Sequence, residues 1–277
     1  MSTDSGKVHV VAQHGFNTGN DLYDRARPSY QSAALSHIRN SVRGGSPINI
    51  VEIGAGTGIF TRALLAHPEW SQAVNQLRAV EPSPGMREVF SKGIPDDRVS
   101  VSEGTFDTTG VEDGWADLVV IAQAFHWCPD YDKAAVEFSR ILKPTGIVAL
   151  IWNLEDRDAA AWVASLRDRI EPHENGTPQY RLNLWRQMFD TPSYLKLFTS
   201  PPEERVWEYT LPGTRDIVID RANSKSYIQL LPDAEREQVR QDVGAIVDKG
   251  EGLVWRNEEE GVFDYPYKTT VVTFNRK

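Results

Sequence analysis

Thiols, basic charge and long apolar runs are all scarce in this chain. Cysteine occurs once, at Cys128, which rules out an intramolecular disulfide and a structural zinc site built from thiolates. A lone thiol fits a reducing compartment, and the cytoplasm is the expected location. The longest apolar run, Ile147 to Trp152, falls far short of the ~18 residues that cross a bilayer. The opening MSTDSGKVHV has no basic region followed by an apolar stretch, the mark of a secretory signal. Positive charge is also short: 30 lysines and arginines stand against 39 aspartates and glutamates, a formal charge of −9. Both halves share the deficit, so neither conceals a basic module for nucleic acid. The remainder is ordinary globular composition, 40% apolar and 25% charged over 277 residues, enough chain to bury roughly three quarters of its unfolded surface.

Residues 1–15 are small, polar and unpatterned, which predicts a disordered tail, with a single domain over 16–277. Two short helices separated at Pro28 are expected within 18–43. From there strands and helices alternate. INIVEI (Ile48 to Ile53) reads as a first strand and Thr57 to His67 as a helix with Phe60, Ala63 and Leu64 on one face. Leu77–Glu81, Arg98–Ser102, Asp117–Ala122 and Gly146–Trp152 read as further strands, with helices over Gly85–Ser91 and Asp130–Leu142 between them. Such alternation implies right-handed crossovers and a parallel sheet. Beyond Asn153 the pattern loosens into helices over Asp158–Ile170, Arg181–Phe189 and Asp233–Asp248, and strands over Arg205–Leu211 and Tyr267–Phe274. These late helices are placed to roof one edge of the sheet.

The first strand runs directly into Gly54-Ala55-Gly56-Thr57-Gly58 and then a helix, an arrangement that lets backbone approach a ligand closely. In a dinucleotide fingerprint the third glycine falls at the sixth position, here Ile59, whereas this loop has it at the fifth. Glu52 precedes the loop, and its carboxylate suits a cationic ligand better than a pyrophosphate.

Glu52-x-Gly54-x-Gly56-x-Gly58 resembles the first motif of class I S-adenosylmethionine-dependent methyltransferases. The resemblance continues through AVEPSPGM at the second strand, EGTF after the third, AQAFHW after the fourth and ILKPTG before the fifth, spanning residues 48–153. Upstream, YDRARPSY (Tyr23 to Tyr30) is similar to the N-terminal segment of the branch that contains trans-aconitate methyltransferase. The resemblance implies a Rossmann-like α/β fold with a mostly parallel seven-stranded sheet, helices on both faces and a helical roof. It implies a cofactor-binding core over about 44–153 and an acceptor roof with the last two strands over about 154–277. S-adenosyl-L-methionine is the implied cofactor, and no metal is expected. The implied cofactor residues are Tyr23, Tyr30, Glu52, Gly54, Ala55, Gly56, Thr57, Gly58, Glu81, Pro82, Met86, Gly104, Thr105, Phe106, Gln123, Ala124 and Phe125. Among them Glu81 is placed to accept two ribose hydroxyls, and Met86 and Phe106 to sandwich the adenine.

The implied reaction transfers a methyl group to an oxygen, hydroxyl or carboxylate, of a small organic molecule. A neutral hydroxyl acceptor calls for a base, and His126, in the AQAFHW segment, is the candidate; it serves equally well as an orienting loop residue. Trp127, Trp152, Asn153 and Tyr227 are the expected acceptor-binding residues, with Trp185 and Phe189 as weaker candidates. Cys128 reads as an inert loop thiol and His173 as a solvated side chain. A nicotinamide oxidoreductase is opposed by the glycine spacing and Glu52. A tRNA methyltransferase is opposed by the acidic chain. A protein that binds the cofactor without methyl transfer stays open, as do the oligomeric state and the identity of the acceptor.

Overall fold

The computed structural model describes Asp24 and residues 26–277. The expected tail and Tyr23 lie outside the described residues. One mixed sheet organises the chain, built from β1 (Ile48–Ile53), β2 (Val74–Val80), β3 (Val99–Ser102), β4 (Ala116–Ala122), β5 (Leu142–Glu155), β6 (Glu203–Gly213), β7 (Trp255–Asn257) and β8 (Val262–Asn275). The order is β3-β2-β1-β4-β5-β8-β6, with β7 pairing on β8. The first five strands pair in parallel. β8 runs antiparallel to β5, β6 and β7. The strands therefore number eight rather than seven, because three residues after the last long helix fold back onto β8.

Strand alternation decides which helices cover which face. Val51 and Ile53 point into a core completed by α5 (Tyr131–Ile141), through Ala134, Phe138 and Ile141. Ile48 and Ile50 point the other way, into a core with α1 (Ser32–Ser41) and α2 (Ile59–Ala66). Between these fall α3 (Pro68–Ser71) and α4 (Pro84–Gly93). β4 and β5 are buried on both faces, as their unbroken apolar runs require.

The roof has a core of its own. It comprises α6 (Ala161–Ile170), α8 (Arg215–Asn223), α9 (Ser226–Gln229) and α10 (Asp233–Lys249), whereas α7 (Pro192–Leu197) packs through Tyr194 into the core shared with α5. Trp162 and Leu166 of α6, Val218 of α8 and Val239 and Val243 of α10 pack on Phe263, Tyr265 and Tyr267 of β8. The expected helix over 181–189 is instead two 3₁₀ segments, Tyr180–Leu182 and Leu184–Asp190. Their path follows a ring stack: Trp152, Tyr180 and Trp185 have centroids 4.8 and 4.5 Å apart around Trp152.

In an open sheet of this kind ligands collect beyond the carboxyl ends of the strands, where the strand order reverses. Here β1 is flanked by β2 on one side and β4 on the other, so the reversal lies at the glycine loop that follows β1.

Candidate active site

Two clefts open there. The first, of about 1110 Å³ and continuous with solvent, is lined by the ends of β1, β2 and β4 and by the loop after β3. Tyr30, Glu52, Gly54, Ala55, Gly56, Thr57, Glu81, Pro82, Met86, Gly104, Thr105, Phe106, Gln123, Ala124 and Trp127 all face it. Gly56 has φ +57° and a side chain there would point into open space. The loop is therefore bare on the side a ligand would occupy.

The two acids of this cleft are held differently. Glu81 is buried, with Oε2 accepting from Gly56 N and Oε1 from Ser83 N, each at 2.9 Å. Those backbone donors lock the carboxylate against the glycine loop, while burial still raises its pKa. Glu52 shares the strand face of Ile48 and Ile50 and accepts a hydrogen bond from the Thr61 hydroxyl of α2. Burial pushes its carboxyl up to about 8; the Thr61 hydroxyl opposes that shift and the neighbouring Glu81 adds to it. Arg62 also opposes the shift, but burial outweighs it.

The second cleft, of about 630 Å³, shares Arg27, Gln123 and Trp127 with the first. His126, Asn153, Arg167, Glu174, Arg181, Arg221, Lys225 and Tyr227 also line it. Beneath it Glu155 is buried, with Arg221 Nη2 at 3.1 Å and Lys225 Nζ at 2.9 Å from its Oε1. Burial alone would raise the Glu155 pKa, but Arg221, Lys225 and Arg167 outweigh it and hold the group ionised. Arg167 pairs with Glu171, and Arg181 with Glu174. Five basic side chains, Arg27, Arg167, Arg181, Arg221 and Lys225, thus line this cleft beside the carboxylate of Glu174, with Glu155 and Glu171 close behind. Burial and the adjacent Arg221 accordingly drive the Lys225 pKa well down.

His126 sits under this cleft. The Trp152 indole N–H donates to His126 Nδ1 at 3.3 Å. Because an indole nitrogen only donates, Nδ1 carries the ring's lone pair and the proton of the neutral ring is on Nε2. Burial, then Arg27 and Lys225, lower the ring's pKa to about 3. A base must accept a proton, and this imidazole has its accepting nitrogen occupied and its cationic form disfavoured. In this arrangement the neutral ring presents an N–H at Nε2.

Other expected site residues fall elsewhere. Phe125 is fully buried against Phe106, Tyr131 and Phe138, because the 3₁₀ turn Phe125–Trp127 directs it into the core. Trp152 lies behind His126, not on the cleft. Gly58 makes room for Ile94 and Phe90, which a Cβ would meet at 2.5 and 2.9 Å; it serves packing rather than a ligand. Trp185 and Phe189 are packing residues beside Tyr194 and Phe274. Cys128 is buried and its thiol pKa is raised by burial. His173 is half-buried and receives a hydrogen bond from Arg169 at 2.6 Å, where solvation was expected.

Arg27, Arg167, Arg181, Arg221 and Lys225 were not anticipated. Only Arg27 had a signal, its place inside YDRARPSY. Gln123 holds φ +57°, uncommon for a non-glycine residue, and donates to Asn153 O at 2.7 Å. Such strain clusters at working sites. Among the described residues no three His, Cys, Asp or Glu side chains gather to hold a metal, and no helix is long and apolar enough to cross a membrane.

Residues 51–150 match the methyltransferase domain family. An uncharacterized methyltransferase of Schizosaccharomyces pombe is 30% identical over 239 residues, covering 84% of this chain and 86% of the relative. A malonyl-[acyl-carrier protein] O-methyltransferase of Methylococcus capsulatus is 29% identical over 118 residues, 42% of this chain and 40% of that one. The solved YcgJ protein of Bacillus subtilis has a TM-score of 0.53 and 19% identity, covering 89% of this chain and 99% of that one. The chain belongs to the class I S-adenosylmethionine-dependent methyltransferases. It is an enzyme of that family with the Rossmann-like fold, and its cofactor is S-adenosyl-L-methionine.

Proposed function

We propose that this enzyme methylates a carboxylate oxygen of a small organic acid, as a member of the trans-aconitate-like branch working in the cytoplasm, with core and roof acting as one domain. The observation that carries this reading is the convergence of five basic side chains on the second cleft, which adjoins the first through Arg27, Gln123 and Trp127. Desolvated positive charge of this kind is stabilised by an anion. The evenly acidic chain argues against a nucleic acid as the anion, and the partial likeness to an O-methyltransferase supports an oxygen acceptor.

The residue roles follow from the two environments. Glu52 and the bare glycine loop would take the ammonium group of the cofactor's amino-acid end. Glu81 would accept from the ribose hydroxyls with its remaining lone pairs, and Met86 and Phe106 would enclose the adenine. When bound, the cofactor supplies an electrophilic methyl group on a sulfonium. A carboxylate is already ionised at neutral pH, so the protein need only hold it in line. Such positioning is worth ~7–11 kcal/mol of barrier. Arg27, Arg181 and Lys225 would orient the anion, and His126 Nε2–H would donate to one of its oxygens.

The test is incubation of a metabolite extract with enzyme and methyl-deuterated cofactor, followed by untargeted mass spectrometry. The expected product gains one labelled methyl group and loses it in mild alkali, as an ester does. An alkali-stable product, or label confined to RNA, overturns the reading.

A further inference from the structure

The short segment before α1 touches every part of the site. At one end Asp24 accepts from the Thr57 hydroxyl at 2.7 Å and pairs with Arg62 of α2. Arg62 also donates to Thr57 O at 2.8 Å, so the glycine loop and Asp24 are held together through the same guanidinium. At its other end Tyr30 sets its ring edge against Phe60 of α2, with centroids 5.1 Å apart. In the middle, Asn153 at the end region of β5 donates to Ser29 O at 3.2 Å. Arg27 crosses to the roof, donating to Ser224 O at 3.0 Å. Ser224 is followed by Lys225, Ser226 and Tyr227, three residues that line the second cleft.

We propose that Asp24 is a positioning residue that couples the two clefts: by tying residues 26–30 to the glycine loop, it lets cofactor binding set Arg27 and, through Ser224, the cationic wall that receives the acceptor. This rests on the reading of the second cleft as the acceptor site. The chemistry gives the tie a direction. Thr57 lies between Gly56 and Gly58 in the loop that faces the cofactor, so a ligand that orders the loop also orders the side chain held by Asp24. Asp24 and Arg27 are only three positions apart, so a restraint on Asp24 limits where Arg27 can sit, and Pro28 restricts the backbone of Arg27 itself. Binding is then ordered, with cofactor first, and the acceptor cleft completes only on the loaded enzyme.

Hydrogen exchange read by mass spectrometry tests this on the full chain, with S-adenosylhomocysteine as the probe. In the wild type, saturating probe should slow exchange about fivefold both at residues 54–58 and at residues 223–229, although the latter line only the second cleft. In Asp24→Ala the probe should still bind by calorimetry, and protection should persist at 54–58 but vanish at 223–229. Asp24→Asn, which keeps an acceptor for the Thr57 hydroxyl without the charge, should retain part of it. If Asp24→Ala fails to fold, Thr57→Val combined with Arg62→Met removes both the hydroxyl and the guanidinium tie from the other side and should give the same split. Equal protection of 223–229 in wild type and variant, or no protection there in the wild type, overturns the proposal. Because no acceptor is used, this outcome is independent of whether the acceptor is a carboxylate, which the labelled-extract experiment alone decides.

Discussion

The two clefts share a border and differ in construction. The first is made of strand ends: Gly54, Glu81, Gly104 and Gln123 each end or follow a different strand. Its acids are Glu52, Glu81 and Asp107. The second is made of long side chains from Arg27, α6, the 3₁₀ segment after it, α8 and α9, and it is cationic. Backbone and strand ends can hold a ligand only where the sheet puts them, whereas long side chains can converge from any elements the roof brings near. Neighbouring pockets of opposite sign suit two ligands of opposite charge. In the proposed reaction, methyl transfer from a sulfonium to a carboxylate would remove both charges.

The sharpest way to break this comparison is to fill the first cleft. Gly56→Val should lower affinity for S-adenosylhomocysteine by ~100-fold or more, since the side chain enters the ligand's space and a β-branched residue is strained at φ +57°. Calorimetry on a variant with wild-type circular dichroism checks it, and an unchanged dissociation constant would remove the glycine loop from the cofactor site.

A crossed pair sharpens the contrast. Glu81→Ala should weaken the same ligand by ~10- to 100-fold, from ~1.5–3 kcal/mol of charge-assisted hydrogen bonding. Lys225→Met should instead raise KM for the acceptor identified above by ~10-fold or more and leave cofactor affinity within about twofold. If either variant affects both ligands alike, the clefts are not separate sites.

His126→Ala should slow single-turnover methyl transfer by only about tenfold, the scale of one lost hydrogen bond. With a ring pKa of about 3, wild type and variant should share the same pH profile between pH 5.5 and 8. An inflection near 6.5 that vanishes in the variant would restore the histidine as a base.

The smallest effect is a proton count. Glu52, with a folded pKa of about 8 against an ordinary 4.5, holds an extra proton in the native cofactor-free protein between those values. Stability of that form should fall as pH rises across the window. A cationic ligand pairs with the ionised group, so binding near pH 7 should release a fraction of a proton. Calorimetry in buffers of different ionisation enthalpy measures the release, which should be absent in Glu52→Gln.

The contrast between clefts is also a contrast in legibility. Residues 48–153 could be read from the chain because each strand is a short apolar run that ends in its own ligand-facing residue, and those local patterns survive in one dimension. The structure brings the glycine loop, Glu81 and Phe106 to one cleft, as that strand-end pattern expected. Two kinds of local reading failed. AQAFHW supplied several aromatics at a strand end, but only the 3₁₀ turn decides that Trp127 faces the clefts while Phe125 enters the core. His126 looked like a titrating residue until Trp152, 26 positions away, occupied its accepting nitrogen.

The sequence by itself determined the alternation of strands and helices, the glycine loop, the acids of the first cleft and the acidic balance of the whole, because each is a property of near neighbours or of composition. Tertiary structure alone decided the cationic second cleft. Arg27 and Lys225 are far apart in the chain and neither lies in a basic run; they meet because Arg27 reaches Ser224 while α6, α8 and β8 share a core that brings Glu155, Arg167 and Arg221 together. Basic side chains that gather by convergence from distant positions leave no local pattern, and the cleft they line exists only in the folded molecule.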